Sequence, residues 1–499
     1  MKSEERWAKS QENRFKSAMP LAVLIAAPLV PNARLAARDA VERALVDLDR
    51  KLGPSKVDTS EAGRAAHAND ESEAIGRLPD AVVYAHGQRD IAAVLAIAEK
   101  HDVPVTPRAG GTGRTGGAVP AAGGIVLATH GMSNILEISK TDLLAVVEPG
   151  VITADLHAAA EAEGLFYPPD PNSLKTCMMG GNVAENAGGP RAFKYGVTRE
   201  YVLGLEACLI GGQVLRTGKR TIKGVTGYDV TALFVGSEGT LGVFSEITLR
   251  LVPKPDELAT VLALFSDVRQ AADAVQRIIA NGLVPRCLEL MDGPTLDAIR
   301  KQSVPVDARA NSMLLIEVDG LALDTTIERL ADALTHGGQA IDVVAAQDAA
   351  QRDRLWEARR QLSPATRKLA KYKLSEDIAV PRSRLVDLFV EVDRIGQETG
   401  VRHLTYGHAG DGNLHVNFLW NDEADKPAVD RAIDLLMHAT VGMGGTLTGE
   451  HGVGILKAAY LPIEQSRELI GLQQQIKGVF DPKGLLNPGK IFPTGHTSC

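Results

Sequence analysis

The stretch Val103-Pro-Val-Thr-Pro-Arg-Ala-Gly-Gly-Thr-Gly-Arg-Thr-Gly-Gly117 joins a short β-favouring segment to a loop that contains five glycines. Upstream, Ala81–Ala85 has the composition of another strand. Between the two, residues 91–98 place apolar side chains at positions i, i+3, i+4 and i+7, which is the spacing of a helix with one buried face. The sequence therefore predicts a strand–helix–strand unit that ends in a glycine-rich loop.

Within this loop, Gly111-Thr-Gly-Arg-Thr-Gly116 matches the pattern GxGxxG, but its context differs from that of a Rossmann dinucleotide site. A Rossmann site requires a helix to begin among the glycines, so that its N-terminus holds the pyrophosphate. Here residues 117–124 contain a proline and two further glycines without helical spacing. We interpret the loop as one whose own amides wrap an anionic group, with a glycine-rich surface loop as the alternative.

Three further stretches are dense in glycine: Met179–Gly189, Gly224–Asp229 and Val235–Val243. Glycine loses more backbone entropy on folding than any other residue, so its repeated use needs a reason. A large ligand that lies against the main chain supplies such a reason.

Size and composition limit the classes of protein. The chain has 499 residues, enough for two or three domains, and its 44% apolar and 23% charged residues are ordinary for a globular protein. The net charge of −8 argues against nucleic acid as a partner, because no basic excess is present to neutralise phosphates. Four cysteines lie far apart without a CxxC pair: Cys177, Cys208, Cys287 and Cys499. This excludes a disulfide framework and a standard iron–sulfur site. The lack of a disulfide framework also fits a reducing compartment, so the cytoplasm is the predicted location of the protein. A peripheral contact of the protein with the inner membrane is the alternative.

The N-terminus divides into an extension and a helix. Residues 1–31 are predicted to be a disordered extension rather than an export signal, since three glutamates precede the apolar run Ala18–Pro31. That run is too short to cross a bilayer, and no transmembrane segment is predicted. Residues 32–75 are predicted to form an amphipathic helix over Asn32–Lys51, followed by a linker.

The region from residue 255 onward alternates strands with helices. Its β-favouring segments are Ala259–Leu264, Ser312–Val318 and Ile341–Ala345. The first two precede stretches of helical character, Val268–Ala280 and Thr325–Thr335. This alternation predicts a mixed sheet with helices on one face, and an α+β fold class for the chain.

Tyr406-Gly-His-Ala-Gly-Asp-Gly-Asn-Leu-His-Val-Asn417 carries two histidines on either side of a glycine-rich turn. The pattern predicts a hairpin whose arms bring His408 and His415 to one spot. Converging imidazoles bind divalent metals and need a carboxylate or water to complete the set of ligands. Glu450, in Gly449-Glu-His-Gly452, is the candidate for that carboxylate. Two ordinary surface histidines are the alternative.

Two groups of segments resemble a known family. The first group resembles the flavin-binding domain of the vanillyl-alcohol oxidase family, also called the PCMH type. It consists of Pro107–Gly117, Gly180–Gly189, Lys194–Gly196 and Gly236–Gly242. The second group resembles one branch of that family, which contains D-lactate dehydrogenases, glycolate oxidase flavin subunits and D-2-hydroxyglutarate dehydrogenases. It consists of Gly407–His415, Gly449–Gly452 and Leu485–Lys490. The resemblance implies a two-part FAD-binding domain over residues 76–254. It also implies a ferredoxin-like substrate and metal domain with a helical C-terminal segment over residues 255–493.

The same resemblance implies a set of FAD contacts. They are Arg108, Ala109, Gly110, Gly111, Thr112, Gly113, Pro169, Asp170, Gly180, Gly181, Asn186, Gly188, Glu238, Gly242, Val243, Asn413 and Asn487. FAD is expected to be bound non-covalently, because neither His130 nor Cys177 is a convincing attachment residue. The metal at His408, His415 and Glu450 is expected to be zinc, with manganese or iron as alternatives.

Oxidation of a 2-hydroxy acid needs a base, a cation for the carboxylate and a hydride acceptor. FAD would be the acceptor, since no side chain can take a hydride. His451 is the candidate base, because neighbours in an extended chain point to opposite faces and Glu450 is assigned to the metal. Arg359 is the candidate carboxylate clamp, with Arg360 as the alternative. The resemblance adds Asn417 as a substrate contact. A packing role for His451 and a solvated charge for Arg359 are the competing interpretations.

These residues predict FAD- and metal-dependent oxidation of a D-2-hydroxy acid. The resemblance implies that some relatives that act on dicarboxylates carry a further lysine at the position of Ser375. Here Lys371 and Lys373 are close but Ser375 is not a lysine, which favours a small monocarboxylate, so D-lactate is the first-choice substrate. A quinone, a cytochrome or a flavoprotein would then take the electrons, and a homodimer is compatible with the sequence.

Several alternatives remain open. A glycolate oxidase flavin subunit and a D-2-hydroxyglutarate dehydrogenase are alternatives within the branch. A catalytically degenerate flavin-binding relay subunit and a nicotinamide-dependent Rossmann enzyme are alternatives of other classes.

Overall fold

The computed structural model describes residues 35–301, 306–321, 323–335, 339–360 and 362–493. The predicted extension, residues 1–31, and Cys499 lie outside the described residues. Within them the chain builds sheets of four, five and seven strands and one two-stranded ladder. No helix in the described ranges combines the length and the apolar character that crossing a membrane requires.

The first sheet contains the strand–helix–strand unit that the sequence predicts. Its elements are α1 (Arg38–Leu52), β1 (Val57–Asp58), α2 (Glu61–Ala66), β2 (Ala81–Tyr84), α3 (Gln88–His101), β3 (Val105–Arg108) and β4 (Ile125–Ala128). The strand order is β1–β2–β4–β3, with β2 and β3 both parallel to β4. Helix α3 buries Ile91, Val94, Leu95 and Ala98, which form the predicted apolar stripe.

The second sheet is antiparallel and follows directly in the chain. The elements of this region are β5 (Ile135–Ser139), β6 (Leu144–Val147), α4 (Thr153–Ala162), β7 (Leu165–Phe166), α5 (Met179–Glu185), α6 (Ala192–Tyr195), β8 (Val202–Cys208), β9 (Val214–Gly218), α7 (Val230–Phe234), β10 (Val243–Arg250) and β11 (Val252–Pro253). Five strands pair in the order β5–β6–β10–β8–β9, and β7 pairs with β11. Residues 110–117 form the loop between β3 and β4, and no helix begins among them, as predicted.

The third sheet has seven strands. The elements of this region are β12 (Glu257–Phe265), α8 (Val268–Ala280), β13 (Cys287–Asp292), α9 (Gly293–Arg300), β14 (Ser312–Gly320), α10 (Leu323–Thr335), β15 (Asp342–Ala345), α11 (Ala349–Arg360), α12 (Leu362–Arg367), β16 (Tyr372–Ala379), α13 (Leu385–Thr399), β17 (Arg402–His408), β18 (Asn413–Trp420), α14 (Lys426–Gly442), α15 (Leu461–Glu464) and α16 (Arg467–Phe480). The strand order is β15–β12–β14–β13–β17–β18–β16. Strands β12 to β15 with α8 and α10 follow the β-α-β-β-α-β connection of ferredoxin-like folds.

The prediction of a mixed sheet with helices on one face is wrong in both respects. Every neighbouring pair of strands is antiparallel. After each crossover helix, the next strand pairs with a strand that runs in the opposite direction. Helices α8, α10, α13 and α14 cover one face. Helices α9 and α12 pack on part of the other face, against Met291, Leu315 and Tyr406. The rest of that second face carries polar side chains and is called the site face below.

The C-terminal tail returns to the first sheet. The amide of Val105 donates to the carbonyl oxygen of Leu485 at 2.9 Å, and the amide of Asn487 donates to the carbonyl oxygen of Val105 at 2.7 Å. The side chain of Asn487 also donates to the carbonyl oxygen of Gly117 at 2.9 Å. The tail therefore holds the glycine-rich loop against β3.

Candidate active site and cofactor cavity

A cavity of about 1160 Å³ lies between the glycine-rich loop and the site face of the seven-stranded sheet. The cavity is lined by residues of the loop, of the segment around α5, of the stretch 238–244 and of the sheet. Pockets for drug-sized ligands measure about 300–1,000 Å³. The cavity therefore has room for a dinucleotide together with a second, small molecule.

The glycine-rich loop presents unpaired amides to this cavity. The backbone amides of Gly110, Gly111, Thr112 and Gly113 donate no hydrogen bond to any described residue. Gly111 has a φ of 67°, and a Cβ on Gly110 would lie 2.9 Å from the carbonyl oxygen of Thr176. These residues line the cavity and are partly exposed, so their amides can donate to a ligand that accepts hydrogen bonds. A pyrophosphate is such a ligand, and the loop therefore fits FAD.

Most of the predicted FAD contacts line the cavity. They are Arg108, Ala109, Gly110, Gly111, Thr112, Gly113, Asp170, Gly180, Gly181, Gly188, Glu238, Gly242 and Val243. Four of the predicted contacts do not line it: Pro169, Asn186, Asn413 and Asn487. Asn487, for example, bonds the carbonyl oxygens of Gly117 and Glu238 at 2.9 and 2.6 Å, which fixes the loop.

Three of the predicted residues come together as a candidate metal site. One ligand atom each from His408, His415 and Glu450 lies within 4.8 Å of the others. The Nε2 atoms of His408 and His415 are 3.5 and 3.6 Å from Oε1 of Glu450, too long for hydrogen bonds. Nε2 of His408 is buried and has no hydrogen-bond partner among the described residues. A buried nitrogen needs a partner, and a divalent cation fits between these three groups.

The predicted hairpin accounts for this convergence. Strands β17 and β18 pair with Tyr406 opposite His415 and with His408 opposite Asn413. Directly opposed residues, and residues two apart on a strand, share one face of a sheet. The two histidines therefore point to the same side, with their ring centroids 5.4 Å apart.

Glu289 on the neighbouring strand β13 orients His408. Its Oε1 atom is 2.5 Å from Nδ1 of His408, which leaves Nε2 free to coordinate. Burial would lower the pKa of His408, but the Glu289 and Glu450 carboxylates outweigh burial and raise that pKa well above its ordinary value. Burial lowers the pKa of His415 to about 3, so this imidazole is neutral. The two carboxylates thus favour a positive charge at His408, which either a proton or, on the neutral imidazole, a divalent cation can supply.

Asp377 on β16 shapes the loop that carries Glu450. One of its oxygens, Oδ2, accepts from the amides of Gly449, Glu450 and His451 at 2.9 to 3.0 Å, and from the Thr448 hydroxyl at 2.9 Å. The loop therefore bends around this carboxylate. The expectation that Glu450 and His451 point to opposite faces is wrong, because the segment is bent rather than extended, and both side chains line the cavity.

Replacing Asp377 with asparagine is expected to destabilise the protein by at least about 2 kcal/mol, because an amide cannot replace a carboxylate that accepts several buried hydrogen bonds. Urea denaturation of the two proteins measures the difference. The exposed Asp387 on α13, replaced in the same way, is the control and should change stability by less than about 0.5 kcal/mol. Equal stabilities of the Asp377→Asn variant and the wild type would show that this loop does not depend on the carboxylate.

His451, the predicted base, lies between the candidate metal site and the cavity. Its ring stacks on His415 with centroids 5.4 Å apart and an angle of 11° between the rings. Its Nδ1 and Nε2 atoms are 3.9 and 3.8 Å from carboxylate oxygens of Asp377 and Glu450. The imidazole is 23% exposed, into the cavity, so it can reach a bound acid.

Arg359, the predicted carboxylate clamp, is buried at the cavity wall. Its Nε atom donates to Oε2 of Glu289 at 2.6 Å, and its guanidinium lies 5.4 Å from the centre of the Tyr406 ring. Its Nη2 atom is buried and has no hydrogen-bond partner among the described residues. A guanidinium with one edge paired and the other free suits an incoming carboxylate. The side chain of Arg360, the alternative, lies outside the described set.

The structure places Asn417 differently from the other predicted catalytic residues. It is fully buried and does not line the cavity, and its Nδ2 atom donates to the carbonyl oxygen of His415 at 2.9 Å. Lys373 and Ser375, two apart on β16, do line the cavity. The Nζ atom of Lys373 donates to the Thr366 hydroxyl at 2.8 Å.

Sequence reasoning missed Glu289 and Asp377, the two carboxylates that orient the site. Both are fully buried. Glu289 lies in the largely apolar strand Cys287–Asp292, where a charge must be paired, so an acidic residue in such a strand was an available signal. Asp377 lies in Tyr372–Ala379, a strand with several polar residues, so no such signal was present for it.

Comparison with known proteins identifies both parts of the chain. Residues 79–218 match the FAD binding domain, and residues 254–491 match the C-terminal domain of FAD linked oxidases. The glycolate oxidase subunit GlcD of Bacillus subtilis is 42% identical over 88% of this chain and 94% of its own length. A D-lactate dehydrogenase of Archaeoglobus fulgidus is 37% identical over 82% of this chain and 90% of its own length.

A solved structure shares the fold. p-Cresol methylhydroxylase with substrate bound has a TM-score of 0.76 and covers 93% of this chain and 99% of its own, at 15% sequence identity. This likeness, together with the strand–helix–strand unit and the antiparallel seven-stranded sheet, confirms the α+β class and the PCMH-type FAD-binding domain. The chain therefore belongs to the FAD-linked oxidases and is an FAD-dependent oxidoreductase of the branch that contains glycolate oxidase subunit GlcD and D-lactate dehydrogenase.

Proposed function

We propose that this enzyme oxidises a small D-2-hydroxy acid to the 2-oxo acid with the help of a divalent cation, and that D-lactate is its substrate. One observation carries the proposal. The groups that such an acid needs converge on one cavity: the candidate cation ligands, the free edge of Arg359 and the imidazole of His451. Two imidazoles and one carboxylate are a donor set of catalytic zinc sites, so zinc is the proposed cation, with manganese or iron as alternatives.

The side chains divide the work between them. Nη2 of Arg359 binds the substrate carboxylate, while Glu289 holds the other edge of the guanidinium. His451 accepts the proton of the substrate hydroxyl, and the nearby carboxylates of Glu450 and Asp377 stabilise the imidazolium that results. When bound, FAD supplies a hydride acceptor at flavin N5 and the cation supplies Lewis acidity toward the hydroxyl.

The positions of these groups make the proposal stereospecific. When the carboxylate is held by Arg359 and the hydroxyl faces His451, the two enantiomers differ in whether the α-hydrogen or the methyl group points at the hydride acceptor, so only one of them can react. With D-lactate, L-lactate, glycolate and D-2-hydroxyglutarate tested separately with a dye acceptor, kcat/KM is expected to be highest for D-lactate. It should exceed the value for L-lactate at least about hundredfold, a barrier difference of about 2.7 kcal/mol. Equal turnover of the two lactates would contradict the proposed arrangement.

Glycolate is the competing substrate, because GlcD of Bacillus subtilis, a glycolate oxidase subunit by name, is similar over most of this chain. If kcat/KM is higher for glycolate than for D-lactate, glycolate is the substrate and the proposed roles of the residues stay the same. If kcat/KM is highest for D-2-hydroxyglutarate, the same conclusion holds for that acid. We propose that a quinone, a cytochrome or a flavoprotein reoxidises the enzyme, and the same substrate panel run with each acceptor tests this.

A further inference from the structure

We infer that Glu185 is a neutral carboxylic acid that donates a hydrogen bond to bound FAD, so that FAD affinity falls when this acid ionises. The inference rests on the FAD site of the proposed function and concerns a residue outside the predicted set of FAD contacts. Glu185 is the last residue of α5, and its side chain lines the cavity.

The carboxyl group of Glu185 is confined and incompletely bonded. Its Oε2 atom is buried and has no hydrogen-bond partner among the described residues. Gly117 and Gly452 flank it, and a Cβ on either glycine would collide with a carboxyl oxygen of Glu185. The carboxyl group is thus held beside the glycine-rich loop, on a residue that lines the cavity, and its Oε2 atom is left without a partner.

A second carboxylate lies beside it. A Cβ on Gly452 would also meet Oε1 of Glu238, so the two carboxyl groups are neighbours. Burial raises the pKa of Glu238, but the amides of Val453 and Gly454 donate to its carboxylate, both at 2.7 Å, and oppose that rise by stabilising the anionic form. Glu185 has no such donors among the described residues. Of two neighbouring buried carboxyl groups, the one without donors keeps the proton.

The remaining charges around Glu185 agree with this assignment. Burial, then the charges of Glu238 and Asp70, raise the pKa of Glu185 well above its ordinary value, and Lys490 opposes them. Lys490 is itself buried, and it donates to the carbonyl oxygen of Val119 at 2.7 Å and to the side chain of Asn487 at 3.1 Å. Burial lowers the pKa of Lys490 to about 8. One lysine therefore faces three acidic groups, and a proton on Glu185 reduces the excess negative charge.

FAD binding should depend on that proton. A protonated acid can donate to the oxygens and ring nitrogens of a flavin, whereas an ionised one can only accept and would repel the anionic pyrophosphate. Because the raised pKa belongs to an acid, the binding-competent form is present below that pKa and disappears as the pH rises through it. Each pH unit above it can therefore lower the affinity up to about tenfold.

The test measures the dissociation of FAD from the diluted holoenzyme, by the fluorescence of the released flavin, between about pH 6 and pH 9. Glu185→Gln keeps a neutral donor of the same size, so its Kd should lack the part of the pH dependence that Glu185 causes. The ratio of wild-type Kd to Glu185→Gln Kd should rise at least about tenfold across the range.

Two further variants complete the test. Glu185→Ala removes the donor and should raise Kd about tenfold at the lowest pH, where wild-type Glu185 is neutral. Glu161→Gln is the control, because Glu161 also lines the cavity but pairs with the half-exposed Lys254. A pH-independent ratio for Glu185→Gln, or wild-type affinity of Glu185→Ala at low pH, would overturn the inference. A wild-type protein without FAD at any pH would instead contradict the FAD site itself.

Discussion

Replacing His451 with glutamine is expected to lower kcat for D-lactate by about 10²–10⁴-fold, while FAD remains bound. The imidazole of His451 reaches the cavity beside the candidate metal site and has two carboxylates within 4 Å to stabilise its charged form. Glutamine keeps a similar size but cannot accept the hydroxyl proton. Rapid-mixing measurement of flavin reduction isolates the step in which that proton leaves.

His438 provides the control for this variant. It lies on α14, away from the cavity, with its Nδ1 atom 2.9 Å from the carbonyl oxygen of Asp434. His438→Gln should reduce flavin at the wild-type rate. If His451→Gln reduced flavin within threefold of the wild type, His451 would be a packing residue and another base would have to be found.

Replacing Arg359 with methionine is expected to lower kcat/KM by about 10³-fold and to destabilise the protein by about 3–5 kcal/mol. The two effects have different causes. The first is the loss of the substrate carboxylate contact at Nη2, and the second is the uncompensated charge of the fully buried Glu289. Steady-state kinetics and urea denaturation measure them separately.

Arg359→Lys distinguishes binding from folding. Lysine keeps a positive charge beside Glu289 and should recover most of the stability, but it lacks the planar fork that binds a carboxylate in two parallel bonds. Its KM for D-lactate should stay high. Arg354→Met, on the exposed side of the same helix, is the control and should match the wild type in both measurements. A wild-type KM for Arg359→Met would remove Arg359 from the substrate site.

Local patterns in the sequence predicted much of the fold. Helix α8 spans Val268–Ala280 as predicted, and the hairpin of β17 and β18 brings His408 and His415 to one face. These elements follow from side-chain periodicity and turn residues, which act over a few positions. The domain boundaries at residues 76 and 255 remain predictions.

The features that the sequence did not predict depend on pairings between distant strands. Glu289 lies opposite His408 only because β13 pairs with β17, and Asp377 lies opposite His415 only because β16 pairs with β18. A distant contact also bends the loop at Glu450 around Asp377, so that Glu450 and His451 do not point to opposite faces as predicted. The prediction of a mixed sheet failed for the same reason. Which strands become neighbours depends on how the helices pack across the whole region, and local sequence patterns do not report this.

We propose that a D-2-hydroxy acid reduces the bound flavin at a site that needs a divalent cation. Anaerobic bleaching of the flavin absorbance by D-lactate tests this most directly, measured before chelation, after EDTA treatment, and after zinc or manganese is restored. We expect fast bleaching that EDTA abolishes and that the metal recovers. Bleaching at an unchanged rate after complete removal of metal would contradict the cation's role. No bleaching by D-lactate, glycolate or D-2-hydroxyglutarate, with FAD and metal both bound, would contradict the proposed reaction itself.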